Sequence, residues 1–566
     1  MSHRIAQRTG IAGLASACIL LFAGCRAAVP GTTPGSQPAA VGTTVSKHAI
    51  DNIAEAHAHY CSGFIHELED EQDEALSEFY TATVDDPADE AMGIDVARRF
   101  IQAKQPGKAA EILKRSASRP NASGEVYAQL GVVLAQLGRD EEAIAANRAA
   151  ARKSPLLLTS YQALYLIYAQ KKDLRDAAEI LDEAGRQADA GAEFLIGLSD
   201  LYVNLGLQSP DLKKSANEKA LEALRRADKL QPANPALKLQ MAESFNSLGD
   251  SQRAAELYLD LLKKLPDIPT IRERVHARLT DIYLRSEDRK RAAEQLQAII
   301  REDPTNPQAY YFLGSLALQD QSLGDAADYF RKTILLNPDF EQAYYDLALA
   351  QLNSHQAPEA LDTLRQARQK FTPSFRLNFL EGMASSATKD YAAAVRAFTA
   401  AELLARASDP ARLNEFFYFQ FGAACERVGN YEDAEKDFHK CLQMDPNFSE
   451  ALNYLGFMWA DHGTKLDDAK SLIEKAVKLE PKNSAYLDSL GWVLFKQKNF
   501  SEALAWARKA VESSPEPDPT VLDHLGDIYA GLHQPAEARA AWQKSLSLEP
   551  NDEVRKKLNS VAPAAK

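Results

Sequence analysis

Three histidines, His57, His59 and His66, stand close enough in the sequence to raise the question of a metal ion, because imidazole is a common metal ligand. His59 and His66 lie seven residues apart, two turns of one helix, and no further ligand of fixed spacing follows. They read as surface histidines, and no metal site is expected. His524 and Asp527 lie one turn apart beside Asp523, an arrangement that acid–base chemistry could use. On a helical repeat the same trio reads as a polar patch of the inner surface. The five cysteines, Cys18, Cys25, Cys61, Cys425 and Cys441, form no CxxC pair. Cys61, Cys425 and Cys441 fall on expected helices, where cysteine usually serves as a small buried apolar residue. An antiparallel helix pair folded near residue 430 offsets Cys425 from Cys441 by about six residues, or about 9 Å of helix rise, too far to bridge. Free, buried thiols are expected for that pair. No phosphate loop, HExxH or nucleophile elbow occurs. The chain is expected to use no cofactor and to carry no catalytic residue.

One cysteine has a different context. Arg4 and Arg8 make a short positive segment, and Ile11 to Phe22 is an apolar run of secretory length, too short to span a bilayer. The run ends in Leu21, Phe22, Ala23, Gly24 and Cys25. This resembles the bacterial lipobox, with Phe22 where leucine is usual. The resemblance implies a signal peptide over 1–24, thioether lipidation of Cys25 and acylation of the new amino terminus. Several acyl chains anchor a protein stably where one does not. Arg26, rather than aspartate, after the cysteine resembles the Gram-negative signal for the outer membrane. Residues 25–47 then form a lipidated, flexible tether rich in Ala, Pro, Gly, Thr and Ser. About 20 such residues reach at most about 70 Å.

The remainder repeats itself. An alanine recurs as Ala75, Ala109, Ala143, Ala177, Ala220, Ala254, Ala292, Ala326, Ala360, Ala394, Ala434, Ala469, Ala503 and Ala538, mostly 34 residues apart. Insertions break the interval, the longest at about Leu205 to Lys214, between two units. Twelve residues before the alanine stands a small residue, such as Gly63, Gly131, Gly314, Gly382, Gly422, Gly491 or Gly526; Gly456 has one residue inserted. Four after it stands a large apolar one, such as Phe79, Phe330, Phe398, Phe438 or Trp542. Twelve after it proline is frequent, as at Pro87, Pro155, Pro338 and Pro446. Two short antiparallel helices approach closely only where small side chains meet, and proline ends the second helix. The unit from Ser484 to Trp492, continuing to Ala503 and Pro515, is similar to the tetratricopeptide consensus. The resemblance runs from about residue 56 to 550. It implies an all-α, right-handed superhelical solenoid of about fourteen helix-turn-helix repeats over 48–551, with residues 552–566 as a solvating helix and tail. Single units cannot bury their apolar faces alone and must stack.

In tetratricopeptide proteins the first helix of each unit lines the concave surface. Its exposed positions lie three before the small residue and one after it. The first column holds Tyr311, Tyr345, Phe379, Phe419, Asn453, Asp488 and Asp523. The second holds Ser315, Leu349, Met383, Ala423, Phe457, Trp492 and Asp527. The residues expected to bind a partner are Tyr311, Tyr345, Leu349, Phe379, Met383, Phe419, Phe457 and Trp492, with an acidic end at Asp488, Asp523 and Asp527. Such a groove suits an apolar helix or extended segment of another protein.

A net charge of −14 repels phosphate backbones, so nucleic acid is not an expected partner. The repeats run to Pro550, and no room for a catalytic domain is expected in the 16 residues that follow. The whole arrangement resembles Gram-negative outer-membrane lipoproteins built of these repeats. The segments Leu455 to Asp461, Leu487 to Trp492, Leu525 to Asp527 and Ala538 to Trp542 resemble the C-terminal repeats of adaptors for periplasmic carboxy-terminal processing proteases. That resemblance implies a lipid-anchored, non-enzymatic scaffold on the periplasmic face of the outer membrane, holding a protease and its substrates at high effective concentration. A scaffold for a pilus, secretion or polysaccharide-export machine, or a non-catalytic subunit of an enzyme complex, fits the same residues.

Overall fold

The computed structural model describes residues 47–264 and 269–560; the expected signal peptide, Cys25 and the expected tether up to residue 46 lie outside the described residues. The described residues form α-helices joined by short turns, with one 3₁₀ turn at Pro410–Arg412 and no strand. The fold is an all-α tetratricopeptide solenoid. Two compact units divide the described residues at Leu230 and Gln231. In the first, ten helices from Lys47–Leu68 to Lys213–Lys229 make five hairpins. In the second, eighteen helices from Pro235–Ser247 to Pro535–Leu548 make nine, and a single helix, Asp552–Ser560, follows.

The marker residues explain why the hairpins close. Thirteen of the fourteen repeated alanines have no exposed surface and Ala75 has 4%, so the period tracks the tightest contact in each hairpin. Six of the eight glycines face the large residue four positions after the alanine, whereas Gly131 meets Asn147 and Gly491 the backbone of Ala507. A methyl group added at Gly63 would lie 2.6 Å from the Phe79 ring, at Gly314 2.7 Å from Phe330, and at Gly382 2.5 Å from Phe398. No carbon pair tolerates that approach without displacement. The glycine is therefore the space the aromatic ring occupies.

Outside the fifth hairpin, whose connection has no positive-φ residue, the turn inside each hairpin is equally regular. At residues 385–390 the Lys389 N–H donates to the Ser386 carbonyl at 3.0 Å and the Asp390 N–H to the Ser385 carbonyl at 2.9 Å. This satisfies orphaned carbonyls at the helix end through one left-handed residue, Lys389, at φ 65°. The Asp390 side chain then accepts from the Ala393 N–H at 3.0 Å and starts the second helix. The extra residue after Gly456 falls in such a turn, where both Gly463 and Lys465 have positive φ. The long insertion does not lie between two units. It lies inside the fifth hairpin, where Ala192–Gln208 and Lys213–Lys229 are both lengthened to 17 residues, so the added residues are absorbed as extra helical turns.

In the second unit the first helices of consecutive hairpins touch one another from Pro307–Gln319 to Pro519–Gly531. They form a continuous wall, on which the expected partner-binding residues lie. Among the described residues no helix is long and apolar enough to cross a membrane.

Candidate functional site

The wall is aromatic at one end and polar at the other. Tyr311 is half-buried; its hydroxyl donates to Asp346 Oδ2 at 2.9 Å and its ring lies 4.7 Å from that of Phe340. Burial and the Asp346 carboxylate push its pKa up to about 12. Phe379 is half-buried and stacks on Phe375 at 5.6 Å, with Phe416 exposed at its edge. Phe419 lies between Phe448 at 5.2 Å and Tyr454 at 5.4 Å. Leu349, Met383 and Phe457 are half-buried in the same wall.

Two of the eight expected residues are not available to a partner. Tyr345 is 2% exposed and donates to Glu341 Oε1 at 2.6 Å. Trp492 is 7% exposed, stacks on His524 at 4.0 Å and on Phe495 at 5.0 Å, and donates from Nε1 to Asp461 Oδ1. The reason is geometric. A helical side chain leans over its own N-terminal turn, and the neighbouring first helices cover both rings.

The acidic end is also closed. Asp488 is buried and takes His524 Nδ1 on its Oδ2 at 2.7 Å. Lys557, on the last helix, reaches Asp523 at 2.9 Å and Asp527 at 2.6 Å. Burial alone would lower the pKa of His524, but Asp488, then Asp523 and Asp527, outweigh it and raise it. Burial raises the pKa of Asp527 against the pull of Lys557. Asp523 and Asp527 are thus partners inside the fold rather than a free anionic surface, and Asp488 is paired through one of its two oxygens.

Beside them opens a cavity of about 440 Å³ lined from the helices Glu415–Arg427, Ser449–Asp461, Ser484–Lys496 and Pro519–Gly531. Its lining includes Arg427, Asn453, Tyr454, Phe457, Asp488, Ser489 and His524. The sequence columns contained Asn453, Phe457 and Asp488 but missed Tyr454, Ser489 and His524. These three occupy a third column, two residues before the small one, which the same 34-residue period could have exposed.

The first unit has a different chemistry at the equivalent positions. A cavity of about 210 Å³ between Gly124–Gln136 and Leu158–Gln170 is lined by Ala128, Val132, Ala163 and Leu166, with Gln129, Gln136, Gln162 and Gln170 around them and no charged residue.

The candidate reactive groups fall elsewhere. His59 pairs with Glu78 at 2.7 Å and His66 with Glu71 at 2.7 Å. His66, Glu69 and Glu71 bring ligand atoms within 4.8 Å of one another at an exposed turn, a grouping that counting histidines alone missed. Cys425 and Cys441 are buried and free, and burial pushes each thiol up to about 12. Cys61 is exposed, contrary to expectation; among the described residues no helix precedes its own.

Models of the tetratricopeptide repeat match residues 278–339 and 463–516, 417–448 and 519–552. The chain is 36% identical over 102 residues to a TPR repeat-containing protein of Pseudomonas aeruginosa, covering 18% of this chain and 17% of that protein. It is 29% identical over 136 residues to the type IV pilus assembly protein PilF of the same organism, covering 24% of this chain and 53% of that one. The chain therefore matches from about a sixth to about half of the length of these relatives. Among solved structures, it is similar to the Cut9–Hcn1 complex at a TM-score of 0.38 and 14% identity, covering 84% of this chain and 97% of the other. It is also similar to YrrB, described as a TPR protein with an unusual peptide-binding site, at a TM-score of 0.30 and 20% identity, covering 35% and 97%.

Proposed function

We propose that this chain is a non-catalytic scaffold of the bacterial envelope, anchored to the periplasmic face of the outer membrane through lipidated Cys25, that holds segments of partner proteins against the first-helix wall of its second unit. The observation that carries the reading is the row of half-buried aromatic and apolar side chains Tyr311, Phe379, Phe419 and Phe457, running toward a cavity of about 440 Å³. Half-buried rings on a fixed helical wall lose little entropy on binding and gain apolar contact. The anchor is supported by Arg4, Arg8, the apolar run Ile11 to Phe22, and Ala23-Gly24 before Cys25.

The similarity to a type IV pilus assembly protein favours the assembly of an envelope machine as the task. The likeness of Leu455 to Trp542 to the repeats of protease adaptors supports a second reading, in which a processing protease and its substrates share the scaffold. Both work by raising effective concentration rather than by chemistry.

Co-purification from detergent-solubilised envelopes tests the scaffold and separates the two tasks. Pilus, secretion or export proteins among the partners favour assembly; a protease with cell-wall hydrolases favours the adaptor. A folded variant carrying Phe379→Ala, Phe419→Ala and Phe457→Ala is expected to lose those partners. If it retains all of them, the wall is not the binding surface. A Cys25→Ser protein is expected to leave the membrane fraction, and its persistence there would sink the anchor.

A further inference from the structure

Two residues that line the cavity at the polar end of the wall each carry an acceptor oxygen that the protein leaves unpaired. Asn453 Oδ1 and Asp488 Oδ1 are buried with no hydrogen-bond donor, on residues 8% and 5% exposed. Buried acceptors without donors are costly to a fold, and folded proteins satisfy nearly all of them. Two lining one cavity point to a ligand that brings donors.

The two cationic side chains of the lining are already engaged. His524 Nδ1 serves the other oxygen of Asp488. Arg427 Nε lies 3.4 Å from Glu426 Oε2. The charged lining residues are Glu426, Asp488 and Asp518 against Arg427 and His524, so acidic side chains outnumber basic ones, with burial raising the pKa of Glu426. Tyr454 and Phe457 add aromatic surface.

We propose that this cavity receives a basic side chain, lysine or arginine, from the segment that lies along the wall; the inference rests on the scaffold reading above. The cationic N–H groups would supply donors to Asn453 Oδ1 and Asp488 Oδ1 and balance the charge. The aliphatic stem would lie on Tyr454 and Phe457, as such stems do on apolar surface. A backbone amide would supply a donor and leave the charge unbalanced. An acidic side chain would face Asp488.

The probes are acetylated and amidated pentapeptides Ala-Leu-Xaa-Leu-Ala, with arginine, lysine, norleucine or glutamate at the centre, titrated calorimetrically against the detergent-solubilised full chain. The arginine and lysine peptides are expected to bind about tenfold or more tightly than the norleucine peptide, and the glutamate peptide is expected to bind weakest. Asn453→Leu and Asp488→Asn are each expected to erase the basic preference. The Asn453→Leu protein should also keep or raise its thermal midpoint, because the oxygen removed has no partner to lose. That readout separates a ligand-binding asparagine from a structural one, and it holds if Asp488→Asn fails to fold. Equal binding of the arginine and norleucine peptides, or an unchanged preference in Asn453→Leu, overturns the proposal and leaves the scaffold reading intact. Binding of no peptide overturns it as well, and co-purification alone then decides the scaffold.

Discussion

At the scale of single residues, the fold depends on places where a side chain has been left out. Gly382 faces the Phe398 ring so closely that a methyl group would sit 2.5 Å from it. The ring has no exposed surface and cannot swing outward. Gly382→Ala is expected to cost about 1–3 kcal/mol by overpacking, seen as a lower urea midpoint; an unchanged midpoint would mean the hairpin has slack that the geometry denies. The buried pair His524–Asp488 makes a second prediction. The carboxylates of Asp488, Asp523 and Asp527 raise the His524 pKa against burial, with Lys557 as the cation nearby. A histidine whose folded-state pKa is raised contributes stability that is fully present below its unfolded value of about 6.5 and is lost as pH rises through the folded value. The wild-type protein should therefore exceed His524→Gln in thermal midpoint below about pH 6.5 and lose that margin as pH rises through the raised folded value. A margin independent of pH would mean that the imidazole is neutral throughout.

At the scale of the element, the hairpin was the most legible feature of the sequence. Its alanine period marks a steric minimum, and Ala109, Ala326 and Ala503 have no exposed surface. The wall was legible in part. Two columns located Phe379, Phe419 and Phe457 on it, but a fixed offset cannot tell which rings a neighbouring hairpin covers, so Tyr345 and Trp492 were misplaced as open. The insertion near residue 210 was misplaced because an interval between alanines does not say whether added residues lengthen helices or the link between them. The turn chemistry was not legible at all. The left-handed position is glycine at Gly138 and Gly429 but lysine at Lys104, Lys389 and Lys498, so no residue type marks it. A lysine there bears a Cβ clash of about 1–2 kcal/mol that glycine avoids, partly offset by the entropy glycine loses on folding. Lys389→Gly is expected to raise stability by about 0.5–1 kcal/mol, with the urea midpoint moving up and the slope of unfolding unchanged. A decrease would show that the lysine side chain does something the turn geometry does not reveal.

At the scale of the whole molecule, the two units each have their own cores, and within each a hairpin touches chiefly its neighbours. Stability in such a chain is close to a sum of local terms and neighbour contacts, so damage at one end should fade along the stack. The last helix, Asp552–Ser560, makes this testable. Val554 is buried with Ala538 and Trp542, Arg539 donates to the Leu558 carbonyl, and Lys557 neutralises Asp523 and Asp527. Lys557 stands 34 residues after Asp523, so the helix takes the place of a fifteenth first helix; its lysine supplies in the fold the charge that the groove's acidic end lacks. Val554→Asp buries a carboxylate where only apolar surface meets it, and should release the helix. Trp542 then loses its cover, and Asp523 and Asp527 lose their cation. Amide hydrogen exchange read by mass spectrometry is expected to speed up over Pro519–Leu548, less over Ser484–Ser513, and not at all in residues 47–230. Faster exchange across the whole chain would mean that the solenoid unfolds as one cooperative body, and a local cap would then control the entire scaffold.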